Sequence, residues 1–530
     1  MLDLLPVEII IQVFSHLSHR DLLACSLVCR PFRATVRENA SCQYTIEMAV
    51  FGMRNGPPSV MGHADRLTIL QDSQSAWHTL QWTASKDVRM LQGSLYELYG
   101  GVLVQSDHQG GHGLVFRRLP SHYRSIKEHV WSLHLDLNLR DFTLDPAQDL
   151  LVLIAQPILR TSAHEARIET SIHIRSLTTG KVHPLVARSP VLVHDVDLRT
   201  ANLTFMVQIH SDRVAVQFIS HGIAPSELVV WNWKTGEVLL STYGTNLMAF
   251  AFLTERLILV GGFGDIGGFG DVTFNLRQPR LFVVDLDSSK GERTDFDEAE
   301  YLCAFLYPAC YPWVHPLRFL IRSDPCTDWT PHPSVQVPFS IGPGPRLYIV
   351  TIWIMQGEEI SPIDLFVLSD TLLDHIGTLR KGETRRDFEW SEWGPAGTRM
   401  MAQVPHSHVW VCYVFGTRFS SITGGGRENR HRESRMLEVW DFNQLGIRRD
   451  IGREGSGAEW SEVEWHVGDT SVLRGKVFLG EVRTRLPYRV FRRKLAAPLE
   501  GEPAFTEALC SEDSIILVDA QERHFRILTF

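Results

Sequence analysis

The spacing of apolar residues changes character once along the chain, near residue 40. Before that point the period is helical. Ile9, Val13 and Leu17, with Ile10 and Phe14 beside them, repeat at four-residue steps, and Pro6 suits the first turn of such a helix. Ser18 followed by Asp21 is a capping signature for a second helix, in which Leu22, Leu23, Cys25, Ser26 and Cys29 line up until Pro31 ends it. A short third helix is expected from Phe32 to Glu38.

Beyond residue 40 the apolar runs shorten and are punctuated by turns, the pattern of strands. One phrase recurs seven times, an apolar strand closing on a polar turn: LVFRRL at 114, IHIRSLTTG at 172, LVVWNWKTG at 228, LFVVDLDSS at 281, DLFVLSDT at 364, LEVWDFNQ at 437 and FRILTF at 525. Strand pairs at 141–156, 205–219 and 248–262 supply the upstream halves of three such units. Seven units of about four antiparallel strands predict a mainly β chain closed into a β-propeller, with six or eight blades as the neighbouring counts. The units are longer than WD repeats, and only Trp440-Asp441 carries that dipeptide. The expected organisation is a helical module at 2–40, a linker lying against the ring at 41–75, and the ring at 76–530. Its last strand, ending at Phe530, is expected to pair with one near 77–83 (WHTLQWT) or further upstream. The proline-rich stretch 322–346 and the polar stretch 420–435 read as long surface loops.

Composition narrows the function. The chain has 530 residues, 44% hydrophobic and 21% charged, with a net charge of −9, which excludes collagen-like, coiled-coil and largely disordered classes and argues against an electrostatic grip on nucleic acid or an anionic membrane. No apolar run approaches the ~20 residues of a membrane span, and no secretory leader is read at the start. Eight scattered cysteines are too sparse for a disulfide scaffold and fit the cytosol or nucleus. A three-helix module of some 40 residues buries little surface by itself, and Ile9, Ile10 and Ile11 point in three directions around the first helix, so a protein partner is the economical explanation.

The order and spacing of Leu5-Pro6-x-Glu8-Ile9, Val13-Phe14-x-x-Leu17, Asp21-Leu22-Leu23 and Leu27-Val28-Cys29-Arg30, followed by Phe32, resemble the F-box, with Phe32 standing where many F-boxes carry Trp. The segments DFTLDPAQDLLVLI, HIRSLTTG and LVVWNWKTGEVL resemble the divergent propeller-like regions of a large group of fungal F-box proteins. The resemblance implies docking on a Skp-family adaptor, and through it on a cullin scaffold, as the substrate receptor of an SCF ubiquitin ligase. It implies Leu5, Pro6, Glu8, Ile9, Phe14, Leu17, Leu22, Val28, Cys29 and Arg30 as adaptor contacts, and a propeller that holds an unidentified protein substrate.

Other constellations carry less. Gly262-x-Gly264-x-x-Gly267 with Asp285 mimics a dinucleotide fingerprint, but residues 268–280 cannot form the helix whose N-terminus would face the pyrophosphate. His406 and His408 lack further ligands, and Cys303 and Cys310 read as core packing. The clusters DFEWSEW and EWSEVEW read as blade-edge repeats, with tryptophan as packing. Trp231, Trp233 and Trp440 are assigned to the same use. Trp329, in the proline-rich loop, is the exposed candidate for substrate recognition, together with Arg427 and Arg430 of the basic loop that also holds Arg432 and Arg435. No catalytic residue, cofactor or metal is expected. The alternatives are a propeller enzyme with a helical cap, which requires titratable side chains converging on the central channel, and an F-box scaffold acting outside ubiquitination.

Overall fold

The structure is a computed structural model that describes residues 5–530 except 109–110, 162–165, 197–202, 221–223, 266–276, 403, 405–411, 425–434, 452–462, 476, 497–503 and 520–522. Helices α1 (Val7–Phe14), α2 (His19–Ser26) and α3 (Arg30–Glu38) form the predicted module. The side chain of Ser18 accepts from the Asp21 amide at 3.3 Å, as the capping signature requires. Pro31 acts differently from expectation: α2 ends five residues before it, and it sits in the first turn of α3, where its missing N–H costs nothing.

The stretch expected as a linker contains two further helices, α4 (Ala40–Val50) and α5 (His63–Thr79), joined by a short strand, Met53–Asn55. Asn39 starts α4 by accepting from the amides of Ser41 and Cys42 at 3.0 and 3.1 Å. The period of α5 was hard to read because it is covered on several sides. Leu70, Ala76 and Trp77 are buried, and so are Arg66, Gln74 and His78.

The rest of the chain forms a propeller of seven blades, each built on four antiparallel strands with its first strand innermost; four of the blades carry a fifth short strand, which pairs in parallel in blades three and four. The innermost strands are Tyr96–Tyr99, Leu139–Asp145, Leu203–His210, Leu247–Phe252, Val314–Arg322, Val414–Phe415 and Glu507–Cys510. All seven recurring phrases of the sequence fall on the third strand of a blade. Middle strands are covered on both faces by the neighbouring blades, so they are written as unbroken apolar runs; Leu150–Ala155, LLVLIA, is buried over its first five residues. An outer strand such as His129–His134 instead alternates exposed and half-buried positions.

The core therefore lies between blades. Seven hydrophobic clusters occupy the seven blade-to-blade contacts; Trp231 and Trp233 fill the one between blades two and three, and Trp440 the one between blades five and six. Ring closure follows the expected principle with a different strand. Ala84–Arg89 pairs antiparallel with His524–Thr529, Ala84 opposite Thr529, so blade seven takes three strands from the C-terminal end and its outermost from the N-terminal side. Residues 77–79 of the expected donor are instead the last turn of α5. There Trp77 stacks on Phe530 with ring centroids 4.2 Å apart.

The glycine-rich motif lies on a hairpin, Leu257–Asp265 against Arg277–Asp285, which is incompatible with a dinucleotide-binding helix start; Gly267 lies outside the described residues. A Cβ on Gly262 would come within 2.4 Å of the Asn246 carbonyl oxygen, so close strand packing accounts for that glycine. The two Trp-rich clusters do reach blade edges, Asp387 and Phe388 on the edge strand Arg386–Phe388 of blade four and Val463 to Trp465 on the edge strand Val463–His466 of blade six; Trp390–Gly397 is a short helix, and Trp393 within it is buried and donates to the Leu306 carbonyl at 3.1 Å. Among the described residues no helix is long and apolar enough to cross a membrane.

Candidate functional site

The helical module has a core of its own. Ile10, Phe14, Leu22, Phe32, Val36 and Cys42 are buried together, with Phe14 set edge-on to Phe32 at 5.3 Å. Six such side chains leave the other faces bare. Leu5, Val7, Ile9, Val13, Leu23, Leu27 and Val28 are all exposed, the last two at 76% and 70%. Seven large apolar side chains exposed within 24 residues are a surplus that a lone module has no reason to carry.

Of the ten residues implied as adaptor contacts, Leu5, Pro6, Glu8, Ile9, Val28 and Arg30 are exposed, and Leu17 and Cys29 are half-buried. Phe14 and Leu22, at 4% and 0% exposure, are instead buried in the module's own core. Val7, Val13, Leu23 and Leu27 are exposed residues that the sequence reading did not nominate. Val7, Val13 and Leu23 lie on α1 and α2 and Leu27 just past the end of α2, and their signal was the excess of apolar residues over what one face can bury.

A dense joint ties this module to the ring. Tyr44 on α4 donates to the Pro338 carbonyl at 3.2 Å, and Asn443 donates to the Val50 carbonyl at 2.7 Å. Strand Met53–Asn55 pairs with Phe339–Ile341, and Arg66, 4% exposed, donates to the carbonyls of Pro338 and Pro57 at 3.0 and 2.8 Å. Glu47 pairs with Arg449. Farther along, the Arg418 guanidinium lies 4.4 Å over the Trp77 ring, and His78 stacks on Phe491 at 4.9 Å. His78 is held well below the usual imidazole range by burial and by the nearby Arg489.

These contacts all fall on one face of the ring. Strands one and three of a blade run in the same direction, so Asp145, Asn443 and Phe530, at or just past the ends of such strands, share that face. The proline-rich stretch lies there too and is only partly the surface loop expected: His332, Pro333 and Ser334 are exposed, while Pro325, Trp329 and residues 337–342 are buried. Trp329 is the clearest correction. It is 9% exposed, donates from its indole to Asp145 Oδ1 at 2.9 Å, and stands edge-on to Tyr99 at 6.2 Å, because α5 and the strand Met53–Asn55 lie over this part of the chain. Arg427, Arg430 and Arg432 lie outside the described residues, as do His406 and His408. Arg435 is buried and donates to the carbonyls of Ala504 and Phe505.

The centre of the ring holds a cavity of about 740 Å³. Cys326 and Asp324 of the proline-rich stretch, with Tyr99, form its end on the module's side. Ser220, Ser226 and Thr245, in connections of the opposite face, line its other end. Its wall is not apolar. Burial pushes the Glu97 carboxyl up to about 8, reinforced by Asp324 and opposed by Arg322. Burial likewise raises Asp324 to about 7, opposed by Arg322, and Asp141 to about 6, opposed by the Phe142 amide and Arg140. The cavity thiols are unsuited to attack at neutral pH, since burial pushes Cys326 up to about 12 and Cys412 well above the usual range. Cys303 and Cys310, both raised to about 12, are packed in the core between blades four and five. Among the described residues no group of three or more His, Cys, Asp or Glu side chains is arranged to hold a metal ion.

Residues 2–41 match the F-box-like family. No curated protein matches the chain. Among solved structures, an uncharacterized protein from Listeria monocytogenes EGD-e aligns at 8% identity and a TM-score of 0.25, over 68% of this chain and 93% of that one. A chain from the S. cerevisiae assembly of Dbp5 with Nup159, Gle1, IP6 and ADP aligns at 9% identity and a TM-score of 0.20, over 69% and 92%. Likenesses at these scores carry no argument about this chain.

Proposed function

We propose that this chain is the substrate receptor of a cullin-based SCF ubiquitin ligase, its F-box module binding a Skp-family adaptor and its propeller binding a protein substrate. The F-box-like match at residues 2–41, followed by a seven-bladed propeller, fits the architecture of a substrate receptor. The observation that carries the reading is the exposed apolar surplus from Leu5 to Val28 on the matched module. In this role the chain does no chemistry itself. It raises the concentration of a substrate lysine near a ubiquitin-charged enzyme, and the joint at α4 and α5 holds the two ends in a set geometry.

Co-expression with a Skp-family adaptor tests the reading. The wild-type chain is expected to co-purify with the adaptor, and the double variant Leu5→Ala with Pro6→Ala to lose it while the propeller keeps its melting temperature. Retained binding overturns the assignment. Recovery of a cullin in the same complex separates a ligase receptor from a scaffold acting outside ubiquitination.

A further inference from the structure

Three ionisable side chains in the central cavity lack the partners that buried charges normally have. Asp324 makes no side-chain hydrogen bond or ion pair among the described residues, and Glu97 meets only the Cys412 thiol, at 3.4 Å. The Arg322 side chain forms no hydrogen bond among the described residues, and its Nε is buried without a partner. Below them the Asp145 carboxyl is satisfied by Trp329 and Gln148, and the Arg346 guanidinium by backbone carbonyls, so the chain does meet buried charge where no cavity intervenes. The cavity is also of the size that takes a ligand.

Its charge points to the ligand's sign. Glu97, Asp141 and Asp324 face two guanidiniums, those of Arg318 and Arg322, so carboxyls are in excess. Burial raises all three, Asp324 adds to the rise at Glu97, and Arg322 opposes it at each, so Glu97 at about 8 is the carboxyl that keeps its proton at pH 7. Asp324 lies at the module-side end of the cavity, across it from Ser220, Ser226 and Thr245, so a group that reaches it from the opposite face must stand on a long stem.

We propose that the central cavity takes a lysine or arginine side chain of a bound peptide, entering from the face opposite the F-box and pairing with Glu97 and Asp324. This deepens the receptor reading and rests on it, by naming the chemistry that the propeller selects. Entry of the cation favours the ionised carboxylates, so the proton on Glu97 leaves to solvent as the ion pair forms. The other titratable groups of the wall are Tyr96, Tyr99, Cys326 and Cys412, all raised by burial and neutral throughout this range.

The test uses the full chain and four acetylated heptapeptide amides of Gly and Ser that differ only at the central residue: Lys, Arg, norleucine or Glu. Calorimetry at pH 7 in two buffers of different ionisation enthalpy reads affinity and proton exchange together. The Lys or Arg peptide is expected to bind about tenfold or more tighter than the norleucine peptide, with protons released on binding. Glu97→Gln should abolish most of that release, and Glu97→Gln or Asp324→Asn should remove the preference. Both changes are close in shape, and melting temperatures report whether the ring stays folded. Equal affinity for Lys, Arg and norleucine peptides, preference for the Glu peptide, or proton uptake overturns the proposal. Adaptor co-purification of the same variants is expected to be unchanged, so failure of the cavity proposal is distinguishable from failure of the F-box reading.

Discussion

Removing the last six residues, Phe525 to Phe530, should open the ring. Phe525, Ile527, Leu528 and Phe530 are at most 2% exposed, and each fills a contact between blade seven and a neighbour. Loss of a buried Leu, Ile or Phe side chain costs about 2–5 kcal/mol, so four of them amount to roughly 10 kcal/mol or more, comparable to the ~5–15 kcal/mol stability of a typical folded protein. The deletion also strips strand Ala84–Arg89 of its only pairing in the blade and ends the stacking of Trp77, which anchors the helical segment. A graded comparison separates ring opening from simple loss of packing. Phe530→Ala should cost about 3–5 kcal/mol and leave a closed ring. Lys86→Pro, an exposed position opposite Ile527, should weaken the closure by breaking the ladder and not by emptying the core. Urea unfolding followed by tryptophan fluorescence, with limited proteolysis to detect an opened blade, reads all three. A truncated chain that keeps the full melting temperature and proteolytic resistance of the wild type would refute this account of closure.

Other consequences are equally specific. Leu27→Asp with Val28→Asp should change stability by no more than about 0.5 kcal/mol, since both side chains stand in solvent, yet abolish adaptor co-purification. Leu22→Ala should cost about 2–5 kcal/mol within the module and lose the adaptor through unfolding, seen as lost helical circular dichroism. Trp329→Ala should destabilise the chain by about 3–5 kcal/mol in urea, because it leaves a hole and removes a donor from Asp145. His210, buried with neither ring nitrogen hydrogen-bonded among the described residues, is pushed down to about 4 by burial. Its unfolded counterpart takes up a proton below about pH 6.5, so the stability it contributes is complete above that pH and lost as pH falls toward 4, some 3 kcal/mol in all. His210→Phe should flatten the wild-type decline in stability between pH 7 and 5; an unchanged slope would exclude His210 as its source.

Much of the architecture was local enough to be written in the sequence. The third strand of each blade lies between two neighbours and two flanking strands, so it repeats as an apolar run, and seven runs specified seven blades. The first two helices of the module show the same economy: their period, the cap at Ser18 and the surplus of apolar residues mark both a helix and an unpaired surface. What stayed hidden were properties set by distant contacts. Trp329 reads as a loop tryptophan until α5 and strand Met53–Asn55, more than 240 residues earlier, are laid over it. The closing strand is Ala84–Arg89 and not the more apolar 77–83 because the helix reaches Thr79 first and carries Trp77 to Phe530. The cavity is the extreme case. Glu97, Asp141 and Asp324 are unremarkable acids on three separate strands or their ends, and only ring closure brings them together around one cavity. The sequence by itself determined the helices of the first 40 residues, the third strand of each blade and which module is apolar on its outside, because those depend on near neighbours. The tertiary structure alone decided which face carries the F-box and that the central cavity is lined by charged side chains, because each depends on where seven blades meet.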